Sequence, residues 1–209
     1  MKYINKKFTI DKVKVEDKNI QEVGVLLKGP AQSKILLEIK REGIKNFKNL
    51  VREDIQIPAV SFSKKISQDV GYIKLNSFTT TSAAEFKKAF IKLKGEKLEN
   101  LIVDLRSNGG GLLNEAVKIV NLFVPKGELV VSTKSRNEQM NRTYICREHP
   151  LDTIIPIIVL IDEMSASASE IVAGSFQDLD RAVIVGNTSY GKGLVQQTKQ
   201  VSFGGQIKL

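Results

Sequence analysis

The chain has 209 residues, of which 42% are hydrophobic and 26% charged, so it is long enough to bury a sizeable core in one globular body with a small added module. Its single cysteine, Cys146, excludes an intrachain disulfide framework, and no apolar run approaches the roughly 20 residues of a membrane helix, so we expect no integral membrane segment in this chain. The net charge of +9 comes from scattered lysines and arginines without an RNA-binding motif or zinc-finger spacing, which favours a solvated surface and no nucleic-acid partner.

The first 57 residues predict a small β-rich segment. A short helix is expected over 20–27, because Gly29-Pro30 ends it, and strands over 34–40 and 49–55 joined by a hairpin-like turn at 41–44. Residues 57–60 are predicted to be an extended linker, because proline biases the residue before it away from the helix.

From residue 70 the pattern becomes an alternation of strands and helices. Ser82 and Glu85 have the spacing of a capping box, and apolar residues follow at helical intervals. The predicted strands are 70–75, 100–105, 154–161 and 182–185, and the predicted helices are 82–93, 112–123 and 167–177. This order predicts an α/β body over 58–209, with a central, largely parallel sheet and flanking helices.

A serine-rich turn separates a strongly apolar strand from the helix at 167–177. Ser165, Ser167 and Ser169 lie where open α/β sheets place their catalytic sites, at the carboxyl end of a strand. Free amides and the positive end of a helix dipole at that position would stabilise an oxyanion. The alternative is that these serines only cap the helix.

A glycine turn, Gly109-Gly110-Gly111, follows the strand at 100–105 and also precedes a helix. Three glycines allow a close backbone approach and let amides point at an anion. The alternative is a plain strand-to-helix turn. A dinucleotide fingerprint is not matched, because position 114 is Asn114 rather than glycine.

Lys192 admits several interpretations. Gly186 to Lys192 fits the front of a phosphate-binding loop, but Gly193 stands where that motif needs serine or threonine. Ser189 to Lys192 fits S-x-x-K, which depends on a helical turn that Gly191 disfavours. In the third interpretation Lys192 is the base for Ser167, and in the last it is an exposed lysine in a turn.

The third interpretation, with Lys192 as the base, is favoured because the chain has only one histidine. His149, the single histidine, lies before a proline in a polar stretch far from the serine turn, so a Ser-His-Asp triad is disfavoured. A lysine that acts as a base must be uncharged when it accepts the proton, and surroundings without charge favour that form. No acidic residue lies between Arg181 and the end of the chain.

Four separated motifs in this order resemble the C-terminal processing (tail-specific) serine peptidases. The motifs are Asp104 to Leu112, Ser165 to Ile171, Gln177 to Ala182 and Gly191 to Gln196. The resemblance implies a Ser/Lys dyad of Ser167 and Lys192, with Gln196 orienting the lysine. It also implies oxyanion amides at Ala168 and Gly110.

The resemblance further implies a serine endopeptidase that cleaves polypeptide substrates with an exposed C-terminus, in the periplasm or cell envelope. It implies no metal or other cofactor. Residues 1–57 are similar to a partial PDZ domain, and 58–209 to a peptidase core that is truncated at its C-terminal end. Residues 1–7 lack the apolar centre of a secretory signal. The alternative is a catalytically silent, truncated homologue that acts as a peptide-binding or scaffold fragment.

Overall fold

A computed structural model describes residues 7–41, 43–55, 57–196 and 198–208. The chain divides into two compact units, Met1–Gln56 and Ile57–Leu209. This division lies one residue before the boundary predicted from the sequence.

The first unit is an antiparallel sheet with one helix. Its elements are β1 (Lys7–Ile10), β2 (Val13–Lys14), α1 (Ile20–Leu27), β3 (Lys34–Arg41) and β4 (Ile44–Val51), with sheet order β2-β1-β3-β4. Asn19 caps α1 and forms a reciprocal capping box with Glu22. Among the described residues of this unit, the buried core is small and consists of Ile10, Val15 and Ile35.

The predicted helix over 20–27 is confirmed, whereas the predicted position of the second hairpin strand is wrong. β4 begins at Ile44, five residues earlier than expected, and pairs with β3 from Arg41↔Ile44 to Lys34↔Val51. Gly43 explains the tighter turn, because its φ of +82° suits a residue without a side chain.

The second unit is an α/β body built on a five-stranded sheet. Its elements are β5 (Val60–Lys65), β6 (Val70–Leu75), α2 (Ser82–Gly95), β7 (Asn100–Asp104), α3 (Leu113–Asn121), β8 (Leu129–Thr133), a 3₁₀ turn (Glu138–Met140), β9 (Arg142–Ile145), β10 (Ile157–Ile161), α4 (Ala168–Asp178), β11 (Val183–Gly186), β12 (Thr198–Gln200) and β13 (Gln206–Lys208).

The order of the central sheet is β11-β10-β7-β6-β5. The first four strands are parallel to one another, and β5 pairs antiparallel with β6 at the edge. The largely parallel sheet expected from the alternating pattern is therefore confirmed. Two short hairpins, β8-β9 and β12-β13, lie outside this sheet.

Alternate residues of the central strands and one side of each helix form the core. Val103 and Val159 are buried on neighbouring strands, where they are direct partners in the sheet. Phe123 lies in edge-to-face contact with the rings of Phe86, Phe90 and Phe176. Phe86 and Phe90 belong to the apolar stripe predicted for α2, and both are fully buried.

One local expectation for this unit is wrong. The cap of α2 is Thr81 rather than Ser82, and the Thr81 hydroxyl donates to Glu85 Oε1 at 2.7 Å. The Ser82 hydroxyl is buried and instead accepts from the amide of Thr79. The stretch predicted to be a linker leads directly into β5, and the other carboxylate oxygen of Glu85 accepts from the amide of Val60 at 3.0 Å.

Candidate active site

Ser167 and Lys192 line one cavity of about 570 Å³ in the second unit. Ser167 follows β10 and Lys192 follows β11, so both come from loops at the carboxyl ends of neighbouring parallel strands. The remaining lining residues are Phe78, Gly109, Gly110, Gly111, Leu112, Leu113, Ile171, Leu194, Val195, Gln196 and Thr198. This is the usual place for a catalytic cleft in such a sheet.

Ser167 has a strained backbone at the start of α4. Its φ of +57° and ψ of −111° fall outside the regions that L-residues normally occupy. Such a conformation costs on the order of 1–3 kcal/mol and persists only where neighbouring contacts enforce it. A sharp strand-to-helix turn of this kind exposes a serine hydroxyl at the end of a sheet, as in the nucleophile elbow of other hydrolases.

Asn108 holds the serine turn in this conformation. Its carbonyl oxygen accepts from the Ala166 amide at 3.1 Å and from the Ser169 hydroxyl at 2.8 Å. Its side-chain amide donates to the carbonyl of Leu75 at 2.8 Å, which ties the turn to the end of β6. Asn108 is fully buried, and its place in the motif from Asp104 to Leu112 does not by itself indicate this role.

Gly110 packs directly against Ser167. A β-carbon built on Gly110 would lie 2.6 Å from the carbonyl oxygen of Ala166 and 2.9 Å from the Ser167 Cβ, and the φ of Gly110 is +96°. Its amide donates to Asn108 Oδ1 at 2.9 Å. In this structure the Gly110 amide is therefore engaged by a side chain rather than directed at an oxyanion.

The Ala168 amide is the first N–H of α4. Within the described part of the chain it has no hydrogen-bond acceptor, as is common in the first turn of a helix. It follows Ser167 and lies at the positive end of the helix dipole. Chemically, it is suited to bind a negatively charged oxygen that develops beside the Ser167 hydroxyl.

Asp162 joins the serine turn to the glycine turn. Its carboxylate accepts from the amide and hydroxyl of Ser107, from the Met164 amide and from the buried hydroxyl of Ser165. The hydrogen bond from the Ser107 amide is the main cause that lowers the pKa of Asp162 from its ordinary value. The Ser165 hydroxyl also donates to the carbonyl of Leu105 at 2.8 Å, so Ser165 has a structural role.

Glu170 connects the serine turn to the loop that carries Lys192. Oε2 accepts from the amides of Ser167 at 2.7 Å and Lys192 at 2.9 Å. Oε1 accepts from the Ser189 hydroxyl at 2.8 Å and the Gly191 amide at 2.6 Å. Burial acts to raise the pKa of Glu170, but these hydrogen bonds outweigh it and the net pKa is lowered. The S-x-x-E spacing from Ser167 could have signalled this residue in the sequence.

Lys192 and Gln196 line the same cavity. None of the hydrogen bonds found among the described residues joins Lys192 Nζ to Ser167 Oγ or to Gln196. Lys192 is partly buried, whereas Gln196 is exposed. Hydrogen bonds of a catalytic site are often long before a substrate is bound and tighten afterwards.

A buried carboxylate stands at the end of β7, beside the glycine turn. Asp104 accepts from the Tyr72 hydroxyl, from Lys74 Nζ at 3.1 Å and from Arg106 Nη2 at 2.7 Å. Burial acts to raise the pKa of Asp104, but the hydrogen bonds from Arg106, Tyr72 and Lys74 outweigh it and the pKa lies well below its ordinary value. This group fixes the point at which the glycine turn leaves the sheet.

The phosphate-loop and S-x-x-K interpretations of Lys192, and a catalytic role for the histidine, find no support in the fold. Within the described residues after Lys192, no helix follows, as a phosphate-binding loop would require. Ser189 is not on a helix with Lys192 and donates to Glu170 instead. His149 lines a different cavity, of about 610 Å³, which shares no lining residue with the cavity of Ser167.

Most of the second unit matches the model of a known protein family. Residues 69–209 match the model of peptidase family S41. The chain belongs to this family. The resemblance drawn from its four motifs is therefore confirmed at the level of the family.

Two curated proteins are similar to this chain over nearly its whole length. A carboxy-terminal-processing protease of Bartonella bacilliformis is 36% identical over 206 residues, covering 96% of this chain and 47% of the relative. A probable CtpA-like serine protease of Staphylococcus epidermidis is 33% identical over 196 residues, covering 93% of this chain and 39% of the relative. The chain thus spans less than half the length of these relatives.

Two solved structures superpose on nearly the whole of this chain. The photosystem II D1 C-terminal processing protease superposes with a TM-score of 0.64 at 27% identity, over 97% of this chain and 56% of that protein. A putative S41 protease from Bacteroides fragilis superposes with a TM-score of 0.67 at 16% identity, over 97% of this chain and 58% of that one. The second likeness concerns the fold alone.

The helices are short in relation to a bilayer. Within the part of the chain that the structure describes, none has the length and apolar character needed to span a membrane.

Proposed function

We propose that this S41 family member is a serine endopeptidase that cleaves polypeptides near exposed C-termini with a Ser167/Lys192 dyad. The observation that carries the proposal is that the strained serine and the loop lysine line the same cavity at the carboxyl ends of β10 and β11. The names of the Bartonella and Staphylococcus relatives support this activity.

In the proposed mechanism, Ser167 Oγ attacks the carbonyl carbon of the scissile peptide bond and its proton passes to Lys192 Nζ. The Ala168 amide and the dipole of α4 stabilise the oxyanion of the tetrahedral intermediate. Lys192 then gives the proton to the leaving amine as the C–N bond breaks, and water hydrolyses the acyl-enzyme with the same lysine as base. Gln196 orients the lysine during these transfers.

Replacing either member of the dyad tests the mechanism. We expect Ser167→Ala and Lys192→Ala each to abolish cleavage of an unstructured protein while the circular dichroism spectrum is unchanged. Ser175→Ala and Lys199→Ala are matched controls, because Ser175 lies on α4 with its hydroxyl on the carbonyl of Val130, and Lys199 does not line the cavity. Wild-type rates in either dyad variant would refute the assignment.

Two further measurements separate an active peptidase from a silent homologue. A serine-directed fluorophosphonate should label wild-type protein and not Ser167→Ala. A disordered peptide with a free C-terminal carboxylate should be cleaved faster than the same peptide with an amidated end. Absence of labelling across pH 6–10 would favour the silent, peptide-binding alternative.

The resemblance also carries proposals for the first unit and for location. We propose that the four-stranded antiparallel sheet with α1 is a partial PDZ-like module, since it is small, β-rich and has one helix. We propose that the protein works in the periplasm or cell envelope, which cell fractionation would test.

A further inference from the structure

Glu170 makes hydrogen bonds to both sides of the proposed dyad. Its two carboxylate oxygens accept from the main chain of Ser167, from the main chain of Gly191 and Lys192, and from the Ser189 hydroxyl. We propose that Glu170 is a positioning residue that fixes the main chain of the base to the main chain of the nucleophile. The inference rests on the proposed function, because it assigns Glu170 a role in that reaction.

The position of Glu170 makes it suitable for this role. It lies in the first turn of α4, so its own main chain is part of a regular helix. The loop that carries Lys192 has no regular secondary structure over 187–196. Besides Glu170, this loop is held by the Tyr190 amide on the carbonyl of Ser165 and by the Asn187 side chain on Glu163. Glu170 therefore provides the direct link from the loop to Ser167 itself.

The chemistry of the four partners requires two acceptor oxygens. Three of them are main-chain amides, which only donate, and the fourth is a hydroxyl that donates to Oε1. Glutamine offers one acceptor oxygen, so its NH₂ group must face an amide donor on one side. The fewest hydrogen bonds are lost when this NH₂ group faces Ser189 and Gly191. The Ser189 hydroxyl can then rotate and accept from it, so that only the hydrogen bond from the Gly191 amide is lost.

Hydrogen exchange of the full chain tests the physical link without any catalysis. In Glu170→Ala we expect the amides of Gly191 and Lys192 to exchange at least about 10-fold faster, since each loses a charge-assisted hydrogen bond. In Glu170→Gln the increase should be confined to Gly191. Unchanged exchange at both amides in Glu170→Ala would overturn the proposal.

Kinetics then test whether the link serves the reaction. We expect Glu170→Ala to lower kcat about 100-fold, as displaced catalytic groups do, with KM within about threefold of wild type. Glu170→Gln should retain more activity than Glu170→Ala. Ser189→Ala should retain more activity than either, because all three amide hydrogen bonds to Glu170 remain in that variant. An unchanged kcat in Glu170→Ala, with faster amide exchange, would overturn the positioning role.

Glu85 supplies a matched control on another helix. It lies in the first turn of α2 and its carboxylate also accepts from a neighbouring amide and a hydroxyl, those of Val60 and Thr81. Glu85→Ala should leave kcat and the exchange of Gly191 unchanged, and an equal loss in that variant would mean that Glu170 acts only through stability. If cleavage persists in Ser167→Ala, the proposed dyad is refuted. Amide exchange in Glu170→Ala would still decide whether Glu170 joins the two main-chain segments.

Discussion

Single residues at the proposed site combine strain with very close packing. Ser167 adopts a positive φ, and Gly110 lies so near it that even one added carbon would collide with the serine turn. Asn108 accepts hydrogen bonds from the Gly110 amide and from the amide of Ala166, the residue before Ser167. The position of the proposed nucleophile thus depends on a few atoms of the glycine turn.

Gly110→Ala is the sharpest test of this dependence. The new methyl group would lie 2.6 Å from the carbonyl oxygen of Ala166, at a φ of +96° that alanine rarely adopts. We expect a loss of about 1–3 kcal/mol in the free energy of unfolding from the strained backbone. Cleavage should fall about 100-fold, because the collision displaces Ser167. Chemical denaturation and initial rates would measure the two effects.

Gly109→Ala is the control for that variant. A β-carbon on Gly109 would meet nothing within 4 Å. The free energy of unfolding of this variant should therefore stay within about 0.5 kcal/mol of wild type. Equal losses in the two variants would contradict the close-packing argument.

For single residues, the sequence predicts the proposed catalytic side chains better than it predicts which neighbours hold them in place. Ser167 and Lys192 belong to motifs whose residue types and spacing are visible in one chain. The roles of Asn108 and Asp162 depend on which loops meet across β7 and β10, and that is a property of the sheet order. The Ala168 amide has no acceptor among the described residues because it lies at the start of a helix, which the sequence predicts. The partner of the Gly110 amide is a side chain whose rotamer the motif does not encode.

Between elements, β6 and β7 are joined by the buried carboxylate of Asp104. Tyr72 and Lys74 reach it from β6, and Arg106 reaches it from the loop after β7. The side chain of Asp104 is only 2% exposed, so these donors replace its lost water. The same group anchors the start of the glycine turn.

Asp104→Asn should destabilise the second unit. It leaves Lys74 and Arg106 without their buried counter-ion, which we expect to cost about 2–3 kcal/mol, less than for a fully buried pair because Arg106 is half exposed. The lowered pKa of Asp104 means that its stabilisation is complete above the unfolded value of about 3.9 and is lost as the pH falls below it. The loss of stability between about pH 4 and 2 should therefore be shallower in the variant than in wild type.

Urea titrations at several pH values would measure this difference. Glu96→Gln is the control, because it removes one negative charge at an exposed position after α2 and should change stability by less than about 0.5 kcal/mol. Parallel pH profiles for wild type and Asp104→Asn would show that the Asp104 cluster does not contribute in this way.

The elements themselves were predicted with uneven success, for physical reasons. Helices α2 and α4 carry apolar residues at helical spacing, and β6 and β7 alternate or run apolar, so periodicity located them. The β8-β9 hairpin was not predicted, because Leu129–Thr133 and Arg142–Ile145 are short and mixed in polarity. The antiparallel edge strand β5 was not predicted beyond its first residue, which closes the predicted linker over 57–60, since its partner in the sheet cannot be inferred from a local pattern.

For the whole molecule, the two units have cores of very different size. The first unit buries Ile10, Val15 and Ile35, with three partly buried neighbours packed on them. The second unit buries residues of β6, β7 and β10 in the central sheet and of α2, α3 and α4. No residue of one core belongs to the other. Small domains bury a smaller fraction of their surface and are correspondingly less stable.

Heating the full chain should therefore give two transitions, the first from Met1–Gln56 and the second from Ile57–Leu209. Ile35→Ala should lower only the first midpoint and Phe123→Ala only the second, because each removes a side chain at most 3% exposed from its own core. The expected costs are about 2–5 and 3–5 kcal/mol. Scanning calorimetry of wild type and both variants would measure the midpoints. A single transition that both substitutions lower equally would mean that the two cores unfold as one cooperative body.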